Sequence, residues 1–484
     1  MPYIRFITSF FLLIIFFLAA FGAQNHPWFT DGVLWSAVLF ALFVCIMSLR
    51  KVFFLDMMAT FFVVFFLQRI VVIYFRPDQM SYQEYLKFSP QVFNAAIWFC
   101  IGVVIAILGG YFLAISHKKT INASELRVIN FDKFFGISYD FERLFNVYSL
   151  FFYVAMILEI FLIVKFKVGV TALEYGRQFA PFIRIVNIVE TLYFLPLLVL
   201  AKGKFSPYTR NVAISLVVLI LIRLIFFQTS KAGIISLCVT FFVCQYFCGA
   251  KISKKNVITG FALFIFSIFI LAPVTTIMRA SVIRMVSGSS SFGAEILMVK
   301  NNYVLTIDKP LFSFMNRLGA FDWLVGFINV GRDAFLPLAN VFNDFVEVVN
   351  SLVPGDLINS PYGGMSVEKL IPHVLRGWDL GSYLGHAELM GGVGMAYLYF
   401  GVTGGILFFF FWSYSVIKML KFSRSAIAKT LIFIALVINF FLGGSVITSI
   451  KIIYEGLIML FILIFISKGK LYKLVHDFFL RVRT

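Results

Sequence analysis

Uninterrupted apolar runs separated by short polar breaks make up almost the whole chain. About twelve runs are long enough to cross a ~30 Å hydrocarbon core as helices. They are Arg5–Ala23, Val33–Leu49, Val52–Phe75, Phe93–Ile115, Phe145–Val164, Ile185–Leu200, Val212–Phe227, Ala232–Gly249, Val257–Met278, Val393–Ile417, Ala428–Leu442 and Ile450–Ile466. The runs are continuous, not alternating, which selects helices over barrel strands. The expected fold is all-α: a polytopic helical membrane protein of about twelve transmembrane helices. Nine fall in residues 1–278 and three in 392–467, with one long loop, 279–391, between spans nine and ten. Residues 468–484 alternate bases with Leu474, Val475, Phe478 and Phe479, the pattern of a basic amphipathic tail on anionic lipid.

The 279–391 loop is the only long polar interval. A loop of this length is functional or disordered as a rule, and Trp323, Phe327, Phe335, Phe342 and Trp378 argue for order. Between Arg317 and Val353 the spacing of Leu318, Phe321, Leu324, Val325 and Ile328 is helical. It predicts amphipathic helices lying on the outer membrane face. From Pro354 to Gly392 the chain is punctuated by Gly and Pro, including Gly363-Gly364, Pro372 and Gly391-Gly392, and irregular backbone is expected.

Composition agrees with a membrane protein: 61% of the 484 residues are hydrophobic and 13% charged, with mean hydropathy +0.96, where a soluble domain carries about 25% charged residues. The formal net charge of +18 is read as positive-inside bias and not as nucleic-acid binding. Bases collect in alternate loops: Arg50-Lys51, His117–Lys119, Lys202 with Lys204 and Arg210, Lys251 with Lys254-Lys255, Lys418 with Lys421 and Arg424, and the tail. That side is expected to be cytoplasmic, with both termini on it, and Ser116–Arg143 is a linker there. The first run lacks the small residue expected before a signal cleavage site and reads as a retained helix. The five cysteines lie in or beside apolar runs, with no His or carboxylate to complete a metal set, so no metal and no disulfide framework is expected. There is no internal repeat.

Some cations break the charge bias. Arg69, Arg177, Arg184, Arg223, Lys231, Arg279 and Arg284 all fall near the outer ends of spans. An arginine at bilayer depth costs on the order of 2.5–3.5 kcal/mol and faces a partner or a polar cavity, unless it snorkels to phosphate. Arg223 lies inside span seven, and Gln228-Thr229-Ser230-Lys231 then reverses the chain, so that the N-terminus of span eight points to the same region. Clustered Arg and Lys beside a helix N-terminus make an anion site, and at this depth a lipid phosphate or diphosphate is the simplest anion.

Three stretches resemble the Wzy-type O-antigen or oligosaccharide repeat-unit polymerases of bacterial inner membranes. Gln228–Ile235 is similar to that family's Ser-Arg/Lys-x-Gly helix entry. Pro361–Arg376 looks like its periplasmic segment, and Tyr397–Gly405 like its aromatic-Phe-Gly-x-x-Gly helix. Where relatives carry arginine after the Ile-Pro pair, this chain has His373, with Arg376 further on. The resemblance implies a GT-C-like glycosyltransferase without metal or cofactor, its active site facing the periplasm. It would move a growing glycan from undecaprenyl diphosphate onto the non-reducing end of a new lipid-linked repeat unit. Lys231 matches the family's basic position. The other expected diphosphate ligands, Arg177, Arg223, Arg279, Arg284, Arg317, Arg332 and Arg376, rest on topology. The partners implied are the undecaprenyl-diphosphate-linked oligosaccharide, membrane lipid and a protein that regulates chain length, with no nucleic acid.

Such a transfer needs fixed cations to neutralise the departing diphosphate. It also needs a base with a pKa near operating pH to take the acceptor hydroxyl's proton. His386, Glu388, His373 and Asp379 are the candidates, and His386 and Glu388 rank first because they sit beside span ten. An O-antigen ligase-like transferase and a lipid-linked oligosaccharide flippase or transporter remain alternatives. The transporter reading expects repeated halves and polar groups on broken helices near the midplane.

Overall fold

The computed structural model describes residues 2–21, 26–50, 52–79, 88–116, 133–134, 137–166, 185–224, 231–249, 320–334, 342, 345–346, 391–423, 425–443 and 446–469. Among these the protein is all-α apart from one two-stranded ribbon. Among the described residues, eight helices are long and apolar enough to cross a membrane, and four shorter apolar helices accompany them. Eleven of the expected spans fall wholly or largely on described residues, and each is mainly helical there. The ninth, Val257–Met278, lies outside them, as does the basic tail beyond residue 469.

The chain divides into two compact units. The first contains residues 1–123, 312–419 and 436–450. Its helices are α1 (Pro2–Phe21), α2 (Asp31–Leu49), α3 (Phe53–Phe75) and α4 (Pro90–Ser116). Helix α1 packs on α2, and α2 on α3 and α4. One face of α1 stays uncovered, with Phe6, Phe10, Leu13, Phe17 and Phe21 exposed, as suits a helix turned toward lipid. Midway along α3, Val63–Leu67 form a π-helical segment, a widened turn that is frequent at functional sites.

The loop between α1 and α2 is clasped to the end of α3 by His26. Its ring stacks on Tyr74 at 5.1 Å, and its Nε2 lies 3.1 Å from the Tyr74 carbonyl oxygen. Its Nδ1 accepts from the backbone N–H groups of Trp28 and Phe29. A nitrogen that accepts two N–H groups cannot itself carry a proton, so the clasp requires the neutral ring with the proton on Nε2. Burial lowers the His26 pKa below its ordinary value of 6.5, against smaller opposing effects of the Tyr74 and Ile73 backbone. The folded state therefore binds fewer protons here than the unfolded state. The stability this contributes is present above about pH 6.5 and is lost as pH falls below it. Thermal unfolding of the detergent-solubilised protein should show a midpoint that drops between pH 7.5 and 5.5, and His26→Phe should flatten that drop. Equal slopes for both proteins would remove His26 from the account.

Helix α9 (Ala320–Val330) differs from its expected place on the membrane surface. Every residue from Ala320 to Phe327 is buried, and the helix packs on α4 and on the π segment of α3. It is apolar on all sides save Asp322 and, in its last turn, Asn329, and such a helix is enclosed. Helix α10 (Gly391–Phe422) crosses α4 closely. A Cβ at Gly110 would meet the Phe410 carbonyl oxygen, and one at Gly102 would lie 2.6 Å from Ile406 Cδ1. Small residues at such crossings let backbones approach in the absence of a hydrophobic drive between helices.

The second unit contains residues 124–311, 420–435 and 451–484. The ribbon β1 (Lys133–Phe134) and β2 (Ile137–Ser138) precedes α5 (Phe141–Phe166). Then come α6 (Ile185–Lys202), α7 (Pro207–Ile222) and α8 (Lys231–Phe247). Helix α7 starts on a Ser206 cap, whose Oγ accepts from the Thr209 N–H, with Pro207 at the first helical position. Helix α6 packs on α7 and α8, and α5 on α7. Helices α11 (Ala426–Asn439) and α12 (Val446–Lys468) contribute residues to both units, α11 packing on α8 within the second.

Candidate functional site

Of the expected site residues, Arg223, Lys231 and Arg332 are described. Arg177, Arg279, Arg284, Arg317, Arg376, His373, His386 and Glu388, with Arg184 and Asp379, lie outside the described residues. Lys231 is the first residue of α8, so this helix begins at the basic residue that the Gln228–Ile235 pattern marks as its entry.

Arg332 follows α9. Gly331, at φ 89°, turns the chain into a short 3-10 turn, Arg332–Ala334. The guanidinium reaches α10, where Gly401 at φ 70°, ψ −166° interrupts the helix. Such a φ suits glycine, which has no Cβ to clash. The break frees carbonyls that a continuous helix would satisfy. Arg332 satisfies two of them, Nε donating to Leu398 O at 3.0 Å and Nη2 to Tyr399 O at 2.7 Å. Its Nη1 lies 3.6 Å from where a Cβ on Gly401 would sit, and makes no hydrogen bond among the described residues. An arginine has five N–H donors in a planar fork. Here one edge of the fork is fixed by the helix, and Nη1 is held beside the break. Thus a loop arginine expected to bind an anion and the Tyr397–Gly405 stretch are in direct contact.

Arg69 has the kind of partner that an arginine at bilayer depth requires. It is fully buried, and so is Asp322 on α9; Nε donates to Oδ1 at 2.8 Å and Nη2 to Oδ2 at 2.6 Å. Two parallel charge-assisted bonds make this the strong, orienting form of an ion pair. Arg69 is thus committed to Asp322 and to holding α9 against α3.

Arg223, in the second unit, also has carboxylate partners. It is 6% exposed, and it pairs with Glu159 of α5 and Glu190 of α6. Three segments therefore meet on one guanidinium. Nearby helices are joined by hydroxyls: Tyr193 OH lies 3.1 Å from Ser236 Oγ and 2.9 Å from Thr240 Oγ1, linking α6 to α8. Two carboxylates around one arginine leave the trio with net charge −1 when all three are ionised, which is not the surplus positive charge expected at this position.

Glu159, Glu190 and Asp322 were not among the expected site residues. Glu159 and Glu190 carry a readable signal. Both lie inside apolar spans, where a carboxylate is as costly as an arginine and implies a partner. Matching span carboxylates to span arginines would have suggested Arg223. Asp322 gave no such signal, since it stands in the long polar interval.

Comparison with family models, with curated proteins and with solved structures returns no match.

Proposed function

We propose that this membrane protein is a polymerase of undecaprenyl-diphosphate-linked oligosaccharide repeat units in a bacterial inner membrane, working at the periplasmic leaflet. The observation that carries the reading is Arg332, clamped by two carbonyls to the break at Gly401, with Nη1 beside the break and not hydrogen-bonded among the described residues. A pre-oriented guanidinium needs no reorganisation when charge develops on a leaving diphosphate. Lys231, opening α8, supplies a second cation by the resemblance of its surroundings.

In the proposed reaction the acceptor's sugar hydroxyl attacks the anomeric carbon of the growing glycan. The bond from that carbon to the diphosphate oxygen breaks, and undecaprenyl diphosphate leaves as an anion held by the cations. The hydroxyl proton goes to His386 or Glu388, with His373 as the further candidate base.

A second reading, a lipid-linked oligosaccharide flippase, is favoured by the same break, because transporters use interrupted helices to bind cargo. The two separate in a gene deletion followed by gel analysis of surface polysaccharide. A polymerase deletion leaves single repeats on the surface and removes the ladder; a flippase deletion removes the single repeats too. Within the polymerase reading, Arg332→Gln should lower chain elongation about 10²-fold, with membrane insertion retained. Ladders of normal length from that variant would exclude Arg332 from the diphosphate site.

A further inference from the structure

The second unit contains a cavity away from the residues discussed so far. It has a volume of about 530 Å³ and is lined by Ser138, Tyr139, Asp140, Arg143, Ser467 and Lys468. It sits where α5 begins, α12 ends and the ribbon folds back, with the Phe134 ring packed on Phe461 at 5.7 Å.

The acidic groups at this end are already engaged. Asp140 Oδ1 accepts from the N–H groups of Glu142 and Arg143, capping α5, and Asp140 Oδ2 pairs with Arg143 Nε at 3.2 Å. Glu142 accepts from the Ser206 N–H. Lys468, exposed in the last turn of α12, has no carboxylate partner among the described residues. Lys202 stands at the same end, its Nζ 4.8 Å over the ring of Phe205, which in turn stacks on Phe141. Among the charged residues that line the cavity, Asp140 and Arg143 balance each other, and Lys468 leaves the lining with a net positive formal charge.

The helix surface leading to it is apolar. Phe461, Phe465 and Lys468 follow one another at i, i+4 and i+7 and share a face of α12. Phe461 is 45% exposed and Phe465 82%. Bare aromatic surface ending in a cation beside a polar cavity matches a phospholipid along its length, acyl chain first and phosphate last. Basic pockets among transmembrane helices take anionic headgroups in this way.

We infer that the cavity seats the headgroup phosphate of an anionic phospholipid, held by Lys468 and Arg143, with an acyl chain along Phe461 and Phe465. The site is separate from the glycosyl transfer proposed above and does not depend on it.

The test is native mass spectrometry of the intact, full-length protein in detergent with added phosphatidylglycerol or phosphatidylcholine, alongside thermal unfolding. Wild type should retain phosphatidylglycerol at about fivefold higher occupancy, the effect of one cation near an anionic headgroup. Lys468→Glu should erase that preference while leaving the lipid-free unfolding midpoint unchanged, and Lys468→Arg should keep it. Equal retention of both lipids, or an unchanged preference in Lys468→Glu, would overturn the inference. So would a thermal shift from inorganic phosphate equal to that from the lipid, since the site would then read a free anion.

Discussion

Asp322→Ala should yield little folded protein. It deprives a fully buried arginine of the carboxylate it chelates through two bonds. Breaking a buried pair from one side costs on the order of 3–5 kcal/mol, a large part of the net stability of a typical domain. Arg69→Ala should be comparably damaging, since it strands the carboxylate. The double variant Arg69→Met/Asp322→Leu should recover most of the loss, because a packed apolar pair of similar volume needs no desolvation. Yield of monodisperse protein and the unfolding midpoint in detergent measure all three. A double variant as poor as either single one would mean that the charges do more than hold α9 against α3.

The pair also marks the limit of what hydropathy reveals. A long helix in lipid must satisfy its whole backbone internally and face a uniform solvent, so its sequence is a continuous apolar run, visible without a structure. Spans such as Pro90–Ser116 are legible for that reason. Helix α9 has only 11 residues, too few to cross, and it lies in a polar interval, so its apolar side suggested a surface. Its burial comes from contacts with α3 and α4, which no local pattern encodes. The break at Gly401 was legible only as part of a glycine-bearing motif. Its positive φ, and the arginine that completes the freed carbonyls, depend on a residue 69 positions earlier in the chain.

Charge presents the opposite case. Cations near the outer ends of spans stand out because they break the positive-inside pattern, whereas acids inside spans break no such pattern. Yet in a low-dielectric interior a lone charge of either sign is unstable, and both signs must be counted together. Read that way, Glu159, Glu190 and Arg223 belong to one group. Arg332 is different in kind: its described partners are neutral carbonyls, which orient the guanidinium without cancelling its charge. This contrast makes Arg332 a stronger candidate than Arg223 for the proposed diphosphate site.

The contrast can be tested on Arg223 itself. Arg223→Leu leaves Glu159 and Glu190 facing each other without the cation between them, and the expected result is a steep loss of folded protein, again on the order of 3–5 kcal/mol. Removing one acid alone, as in Glu159→Gln, should be far milder, because the remaining carboxylate still balances the arginine. The informative protein is the neutral trio, Arg223→Leu/Glu159→Gln/Glu190→Gln. If Arg223 serves only to join α5 and α6, the trio restores the fold and, with it, polysaccharide of normal length in a deletion strain. If Arg223 also binds the diphosphate, the trio restores the fold but the ladder collapses to single repeats. Folding is read from monodispersity and unfolding midpoint, elongation from the surface polysaccharide, so the two roles give separable results. Normal expression and stability of Arg223→Leu would contradict both, since the ion cluster would then be dispensable.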